Sequence, residues 1–298
     1  MSASSDIAIR QNFAENLERL AAQRVLYSRG KLARGASAFM GTLLAIASIP
    51  TALFCPTLSA GLSLAALLWT FVELILVDGV EDKNRQMAAL IQEDFDTQVF
   101  GLAWNPALGA RPIPETIVDA GRSGKGDERL KGWYPDLSML PRPLEILACQ
   151  RTCVVWDHRA RGEYQLLLTI TALALVVAAI TAGVATGQSL SNFLVGFAVP
   201  IVPALQHCIK TIKAHRRAHA AQDLLSGDID MLWTEGVKSK GRLSDLKLRQ
   251  VQDRLLLYRR EQPAVPDYLY WRQRSRYEVA MRETAQRLIK EALDKLSR

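Results

Sequence analysis

Leu166-Leu-Leu-Thr-Ile-Thr-Ala-Leu-Ala-Leu-Val-Val-Ala-Ala-Ile-Thr-Ala-Gly183 is followed by a short turn, Thr186-Gly-Gln-Ser189, and by a second apolar run from Leu190 to Ile209. The 46 residues from Tyr164 to Ile209 include no Lys, Arg, Asp or Glu. A helix needs about 20 apolar residues to cross the hydrocarbon core of a bilayer. The stretch therefore predicts a hairpin of two membrane-spanning helices. A hairpin buried in a soluble protein is the alternative, but such long charge-free helical runs are rare in soluble cores.

A second apolar block has the same design. It extends from Gly35 to Val77, and its one formal charge is Glu73. Phe39–Phe54 and Leu58–Val77 are each long enough for a crossing, and Cys55-Pro56 forms the turn between them. The chain is 22% charged overall, a value that conceals these blocks because the remaining segments are highly charged. Four membrane-spanning helices are therefore predicted.

The positions of the basic residues predict the orientation of these helices. Lys and Arg near membrane ends mark the cytoplasmic side. They flank both apolar blocks, whereas the two outer turns carry no charge; the flanking residues are Arg24, Arg29, Lys31, Arg34, Arg151, Arg159, Arg161, Lys210, Lys213, Arg216 and Arg217. We therefore expect a multi-pass protein of the bacterial inner membrane with both termini in the cytoplasm. Attraction to anionic lipid explains much of the net charge of +7, so polymeric nucleic acid is not a predicted partner.

The remaining sequence predicts helices and no strands, so the expected fold class is all-α, with a helical cytosolic domain built from the middle and C-terminal segments. Asn12 and Glu15 have the spacing of a capping box and predict a helix that ends near Lys31. Residues 107–131 are rich in Gly and Pro and predict a flexible loop. Five segments follow: an N-terminal amphipathic helix (1–35), transmembrane hairpin 1 (36–77), a cytosolic middle segment (78–163), transmembrane hairpin 2 (164–209) and C-terminal cytosolic helices (210–298).

The sequence has no convincing motif of an enzyme or of a metal-binding site. Gly121-Arg-Ser-Gly-Lys-Gly126 lacks the spacing of a phosphate-binding loop, and no Ser or Thr follows its lysine. Glu93, Asp94 and Asp96 diverge around a helix, so they are not expected to converge on one ion. We predict no catalytic residues, no bound metal and no cofactor.

Several short motifs, distributed over nearly the whole chain, carry a specific resemblance. They are Arg10-Gln11-Asn12, Ala22-Gln23-Arg24, Gln92-Glu-Asp-Phe-Asp-Thr-Gln-Val-Phe100, Trp104-Asn105, Trp133-Tyr134-Pro135, Cys149-Gln150-Arg151, Trp156-Asp157, Pro200 with Pro203, and Pro266-Asp267 with Tyr270. With these motifs the chain resembles the SMODS-associated four-transmembrane (S-4TM) pore-forming effectors, a family found beside bacterial cyclic-oligonucleotide synthases. One departure is Cys153, which stands where a polar residue, often Asn, is expected.

The resemblance implies a role in antiphage defence by abortive infection. A cognate synthase would make a cyclic di- or oligonucleotide that is sensed in the cytosol, and the inner membrane would then be disrupted. Such a ligand needs Arg or Lys for its phosphates and aromatic faces for its bases. The candidate binding residues are Trp133, Tyr134, Arg151, Trp156, Asp267, Tyr268, Tyr270 and Trp271. The alternative is that these aromatics form the core of the cytosolic domain.

The membrane segments supply candidate residues for a gate or pore. Glu73 lies about one turn from the cytosolic end of the second crossing, at the depth of Gln206 and His207 on the fourth. A hydrogen-bonded pair between Glu73 and one of these two residues would close the cytosolic mouth. The alternative is that Glu73 reaches the interface without such a partner. Pro200 and Pro203 predict a kink and a possible hinge in the fourth crossing, and Asn192 either lines a pore or faces headgroups.

A conducting path requires several chains, because four helices in one chain pack around side chains and leave no aqueous lumen. The interpretation therefore predicts a homo-oligomer in the lipid bilayer. Two other functions remain open from the residues alone. One is a non-conducting membrane scaffold or sensor that recruits partners through its cytosolic helices, and the other, weaker one is a small-solute transporter.

Overall fold

The computed structural model describes residues 7–124, 126–156 and 158–297, except for the side chains of residues 270, 271 and 273–275 in the last helix. Within these ranges the regular structure is helical and includes no strand, which confirms the all-α prediction. The helices are α1 Ile7–Arg10, α2 Ala14–Phe54, α3 Ser59–Val72, α4 Asp78–Phe100, α5 Pro114–Gly121, α6 Arg142–Val155, α7 His158–Ala185, α8 Leu190–Phe193, α9 Val199–Lys238, α10 Asp245–Glu261 and α11 Asp267–Leu296. Two π-helical turns, Glu73–Val77 and Leu194–Ala198, join α3 to α4 and α8 to α9.

Four long helical segments are apolar enough to cross a membrane, as predicted. We name them the first to fourth spanning helices: Ala14–Phe54, Pro56–Phe100, Arg142–Ala185 and Leu190–Lys238. They contain 41 to 49 residues, which corresponds to about 60–75 Å at 1.5 Å per residue. This is about twice the 30 Å hydrocarbon thickness of a bilayer. Each spanning helix therefore continues far beyond its apolar half, and the polar halves together build the second part of the molecule, which we call the polar body.

The helical segments continue through two of the predicted segment boundaries. The expected end of the first helix at Lys31 is wrong, since α2 passes through this residue without a break. The second spanning helix likewise continues from Val77 into α4. A change from charged to apolar residues marks where a helix changes its surroundings, and it does not by itself stop the helix. The division into five segments itself stays a prediction.

The apolar halves pack around the fourth spanning helix, which contacts each of the other three. Small residues permit this packing: a Cβ on Gly41 of α2 would lie 3.2 Å from the backbone nitrogen of Ala204 in α9. Ala45, Ala179 and Phe197 lie in the same buried cluster. Leucines and valines on the outer faces of the second and third spanning helices remain exposed, as lipid-facing side chains are.

One of the two π-helical turns lies where the sequence predicts a kink. A proline lacks the N–H that an α-helix would pair with the carbonyl four residues earlier. The π-helical turn Leu194–Ala198 directly precedes Pro200 and Pro203, and the N–H of Val199 donates to the carbonyl of Leu194, five residues back. The predicted hinge at this position stays a prediction.

The polar body has its own hydrophobic core, to which α4, α6, α9 and α10 contribute. Phe95, Phe100, Leu144, Leu147 and Leu255 are each fully buried there. These helices hold the polar side chains described below at fixed positions.

Two local predictions are wrong. Residues 107–131 are not a flexible loop throughout, because α5 packs on α2 and buries Ile117 and Ala120. Gly121 makes this approach possible, since a Cβ there would lie 3.2 Å from the carbonyl oxygen of Glu18. Asn12 does not cap α2, whose N-cap is Phe13 without a side-chain hydrogen bond.

Candidate functional site

A cluster of charged side chains joins three spanning helices at the polar ends of their apolar halves. We call it the membrane-edge cluster. Its members are Arg34 of the first spanning helix, Glu73, Asp78 and Glu81 of the second, and His207 and Lys210 of the fourth.

Glu73 is the most buried member of this cluster, at 0% exposure. Its Oε1 lies 3.6 Å from Nδ1 of His207 and 3.9 Å from Nη1 of Arg34. Neither carboxylate oxygen accepts a hydrogen bond from any residue that the structure describes. A carboxylate in this position depends on electrostatic attraction from the Arg34 guanidinium, so its free energy changes if Arg34 moves.

Arg34 connects the three acids of the second spanning helix. Its guanidinium pairs with Glu81 and lies 3.2 Å from Asp78, in addition to its contact with Glu73. Lys210 also pairs with Asp78, from the fourth spanning helix. The cluster thus cross-links the first, second and fourth spanning helices where their apolar halves end.

The π-helical turn brings these acids together. Glu73 and Asp78 are five residues apart, a spacing that an α-helix would place on divergent faces at 100° per residue. In the π-helical turn the N–H of Asp78 donates to the carbonyl of Glu73, so both side chains approach Arg34. Sequence reasoning missed Arg34 as a partner of Glu73, and it missed Asp78, Glu81 and Lys210 as members of the same cluster, because a π-helical turn has no local sequence signal comparable to a proline.

The predicted gate residues occupy different places in this arrangement. Glu73 contacts His207, one of its two predicted partners, whereas Gln206 is half-buried and outside the cluster. Pro200 and Pro203 are buried in the helix packing, and Asn192 is exposed at the opposite end of the apolar halves. Their roles in gating stay predictions.

Tyr134, a predicted ligand residue, belongs to a buried polar network. It is 2% exposed, and its hydroxyl donates to Oδ1 of Asp96 at 2.6 Å. Its ring lies 6.1 Å from the Phe95 ring and 5.2 Å from the Phe100 ring. Burial and the adjacent Asp96 raise the pKa of Tyr134 well above its ordinary value. The adjacent Trp133 is 40% exposed.

The same network binds two carboxylates of the second spanning helix. Oδ2 of Asp96 accepts hydrogen bonds from Gln252 at 2.9 Å and Arg259 at 2.6 Å, and Glu93 accepts from Gln252 at 2.8 Å. Asp94 points elsewhere and pairs with two other arginines. Asp94 thus diverges from the other two acids, whereas Glu93 and Asp96 meet at the Gln252 amide. Among the described residues no group of three or more His, Cys, Asp or Glu is arranged to hold a metal.

Arg151 and Trp156 are engaged by other helices. Nε of Arg151 lies 3.2 Å from Oδ1 of Asp230, and the Trp156 ring packs 5.9 Å from the ring of Tyr277. The cavity beside Arg151 has a volume of about 10 Å³, room for one water molecule. A nucleotide does not fit there in this conformation.

The other predicted ligand residues begin α11. Asp267 pairs with Lys31 of α2 at 2.6 Å and does not cap its helix, while Tyr268 is 56% exposed. The side chains of Tyr270 and Trp271 lie outside the described residues. The described candidates do not line one cavity, and their role in ligand binding stays a prediction.

Several motifs behind the family resemblance are joined by hydrogen bonds in the fold. Gln11 donates to the carbonyl of Tyr134 at 3.2 Å and accepts from its N–H at 2.7 Å. Asn12 accepts from the N–H of Gly132 at 3.0 Å. Gln150 donates to Gln252 at 3.0 Å. Residues of three motifs therefore hold the polar body together.

Comparison with known proteins agrees with this architecture. The chain is 26% identical over 292 residues to a protein of Bacillus cereus (strain VD146) described as a probable CBASS effector molecule, with 95% of this chain and 98% of the relative covered. No solved structure matches the chain. The sequence profile of a family described as the SMODS-associating 4TM effector domain matches residues 5–288. This multi-pass membrane protein with four transmembrane helices therefore belongs to the SMODS-associating 4TM effector family.

Proposed function

We propose that this protein is an effector of bacterial antiphage defence that permeabilises the inner membrane when a cyclic oligonucleotide is sensed in the cytosol. Both termini and the polar body lie in the cytoplasm, and the conducting unit is a homo-oligomer. The outcome is abortive infection. Family membership and the relative described as a probable CBASS effector molecule support the defence role.

The membrane-edge cluster is the observation that carries the proposed mechanism. Arg34 connects α2 to Glu73 and Glu81, and Lys210 connects α9 to Asp78. The same helices continue without interruption into the polar body. A ligand that moves the polar halves must therefore break or rearrange these ion pairs before the apolar halves can separate. We treat the described arrangement as the closed state.

The packing of the apolar halves supports an oligomer. The other three spanning helices surround the fourth, whose buried cluster includes Ala45, Ala179 and Phe197. A bundle filled by side chains offers no aqueous path through one chain. Water and ions would pass between neighbouring chains after the bundles rearrange. No catalytic step is part of this proposal.

The decisive experiment measures ion and dye efflux from liposomes that contain the purified full chain. We expect efflux only after cyclic di- or trinucleotides are added, and we expect cross-linking to trap assemblies larger than a monomer. Liposomes that stay sealed with a nucleotide bound would exclude the effector mechanism. Binding without efflux, together with recruitment of cytosolic proteins, would instead favour the non-conducting scaffold.

A further inference from the structure

An open groove lies between α2 and the segment that follows α5. It is lined by Arg24, Val25, Ser28, Arg29, Leu32, Ser123, Gly124, Asp127 and Arg129, and we call it the basic groove. Its volume is about 460 Å³, within the range of about 300–1,000 Å³ that is typical of ligand pockets. It is therefore large enough for a nucleotide, in contrast to the cavity beside Arg151.

A carboxylate already occupies the centre of this groove. Asp127 accepts two hydrogen bonds from the Arg129 guanidinium, at 2.8 and 2.9 Å, and a third from Arg24 at 2.5 Å. Two guanidiniums thus converge on one anionic group from α2 and from the opposite wall. Hydrogen bonding from Arg129 lowers the pKa of Asp127 to about 2, so this carboxylate is ionised at neutral pH. The arrangement is the one in which arginines bind a phosphate.

The remaining lining residues suit a phosphodiester with attached bases. Arg29 is exposed and pairs with no acid among the described residues. Ser28 and Ser123 are exposed and supply hydroxyl groups, and Leu32, 75% exposed, offers an apolar contact. Three guanidiniums against one carboxylate leave an excess of two positive charges, which matches the two phosphodiesters of a cyclic dinucleotide.

Gly124 determines the shape of the groove. A Cβ at this position would lie 3.3 Å from Ala21 and from Val25 of α2. The backbone of the wall therefore lies directly on the helix, which brings Asp127 and Arg129 next to Arg24. Gly124 belongs to a segment that resembles a phosphate-binding loop in the sequence, but its role in the fold is close packing against α2. The groups that would bind an anion here are side chains.

We propose that the basic groove binds the phosphodiester of a cyclic oligonucleotide, which replaces the Asp127 carboxylate between Arg24 and Arg129. This assignment rests on the proposed function. The replacement would break the Arg24–Asp127 ion pair between the wall and α2. The same helix carries Arg34, ten residues and about 15 Å beyond Arg24 along its axis. A phospholipid headgroup offers the same phosphodiester chemistry and has to be separated by experiment.

The test uses the full chain in nanodiscs of phosphatidylethanolamine and phosphatidylglycerol, with calorimetric titration of cyclic di-adenylate, cyclic di-guanylate, mixed cyclic adenylate–guanylate and cyclic tri-adenylate. For the nucleotide that binds, Arg29→Ala should weaken affinity at least tenfold, and Asp127→Asn should strengthen it several-fold because the competing charge is removed. Arg282→Ala, which removes an exposed charge from α11, should leave affinity unchanged. Because Arg29 is exposed, its replacement does not threaten folding.

Each other result contradicts the assignment in a recognisable way. Equal affinity of wild type and Arg29→Ala in nanodiscs, with nucleotide-dependent efflux from liposomes retained, would place the site elsewhere and leave the proposed function intact. Failure of all four nucleotides to bind or to cause efflux would count against both proposals. If Arg29→Ala alters only the protein's preference for phosphatidylglycerol over phosphatidylcholine nanodiscs, the groove is a lipid headgroup site.

Discussion

Replacing Arg34 with Gln should open the protein without any nucleotide. The substitution keeps most of the side-chain stem and removes the charge that contacts Glu73, Asp78 and Glu81. Two of these acids, Glu73 and Glu81, have side chains only 1% and 3% exposed. Their charges would then lie at the membrane edge with fewer compensating cations, and an arrangement that admits water would become more favourable.

The expected size of this effect is large enough to change the resting state. Breaking a buried ion pair by removing one partner costs about 3–5 kcal/mol. A closed state that is favoured 99:1 is more stable by about 2.7 kcal/mol, half of the roughly 5.5 kcal/mol that would invert the ratio. Loss of about 3 kcal/mol from the closed state alone would therefore leave Arg34→Gln close to half open.

The assay is efflux of potassium and of a small dye from liposomes, in the absence of nucleotide. The matched control is Lys213→Gln, which removes an exposed positive charge from α9 close to the same edge. We expect strong efflux without nucleotide for Arg34→Gln. For the control we expect no more efflux than for the wild type. Glu73→Gln should change basal efflux as well, since it removes the charge that contacts Arg34 and His207. In bacteria, induction of Arg34→Gln without a synthase should arrest growth.

Sealed liposomes would refute this reasoning, provided that Arg34→Gln inserts and unfolds at a temperature close to that of the wild type. The ion pairs would then contribute to helix packing without controlling permeability. Equal efflux from Arg34→Gln and Lys213→Gln would also refute it, because a general loss of positive charge would then explain the result.

Two further predictions concern the stability of the polar body. Burial, and secondly a neighbouring guanidinium, lowers the pKa of His215 to about 3, whereas the pKa in the unfolded chain is about 6.5. The unfolded chain therefore takes up this proton first as the pH falls. The His215 contribution to the free energy of unfolding is fully present above pH 6.5, and about 2 kcal/mol of it is lost at pH 5. Thermal unfolding between pH 5 and 8 should lose this component in His215→Gln and retain it in the exposed-residue control His158→Gln; identical profiles would contradict the argument. Asp96→Ala should lower the free energy of unfolding by about 3–5 kcal/mol because it leaves Arg259 buried without its carboxylate, and denaturant titration should show a smaller loss for Asp94→Ala, whose arginines reach water.

The membrane helices could be predicted because their signal is compositional. The length and apolar composition of Tyr164–Ile209 predict a lipid environment, and this prediction does not depend on how the neighbouring helices pack. The continuity of α2 was not predictable in the same way. Gly30 and Gly35 and the change of charge near Lys31 all suggest an end, yet no proline interrupts the helix there, and packing against the second spanning helix outweighs weak local preferences.

The side-chain partners were harder to predict than the helices. Tyr134 has the chemistry of a base-stacking residue and equally that of a core residue, and only the packing of Phe95 and Phe100 around its ring distinguishes the two. The pairing of Glu73 with Arg34 depends on a π-helical turn. Such contacts join residues far apart in the sequence, and they follow from the relative rotation of whole helices, which a single sequence does not specify.

The mechanical properties of the spanning helices indicate where a signal from the polar body would act. Between Arg24 in the basic groove and Arg34 in the membrane-edge cluster, α2 is an uninterrupted α-helix without proline. The second and fourth spanning helices are different, because each contains a π-helical turn within its apolar half, next to Glu73 and Pro200 respectively. Such turns weaken the regular hydrogen-bond ladder, so they yield before α2 bends. If the protein has the proposed function, a displacement of α2 by a nucleotide would therefore reach Arg34 nearly undiminished. It would be absorbed where α2 meets the π-helical turn that begins at Glu73, which is the place that the buried ion pairs occupy. The turn before Pro200 lies towards the opposite end of the apolar halves.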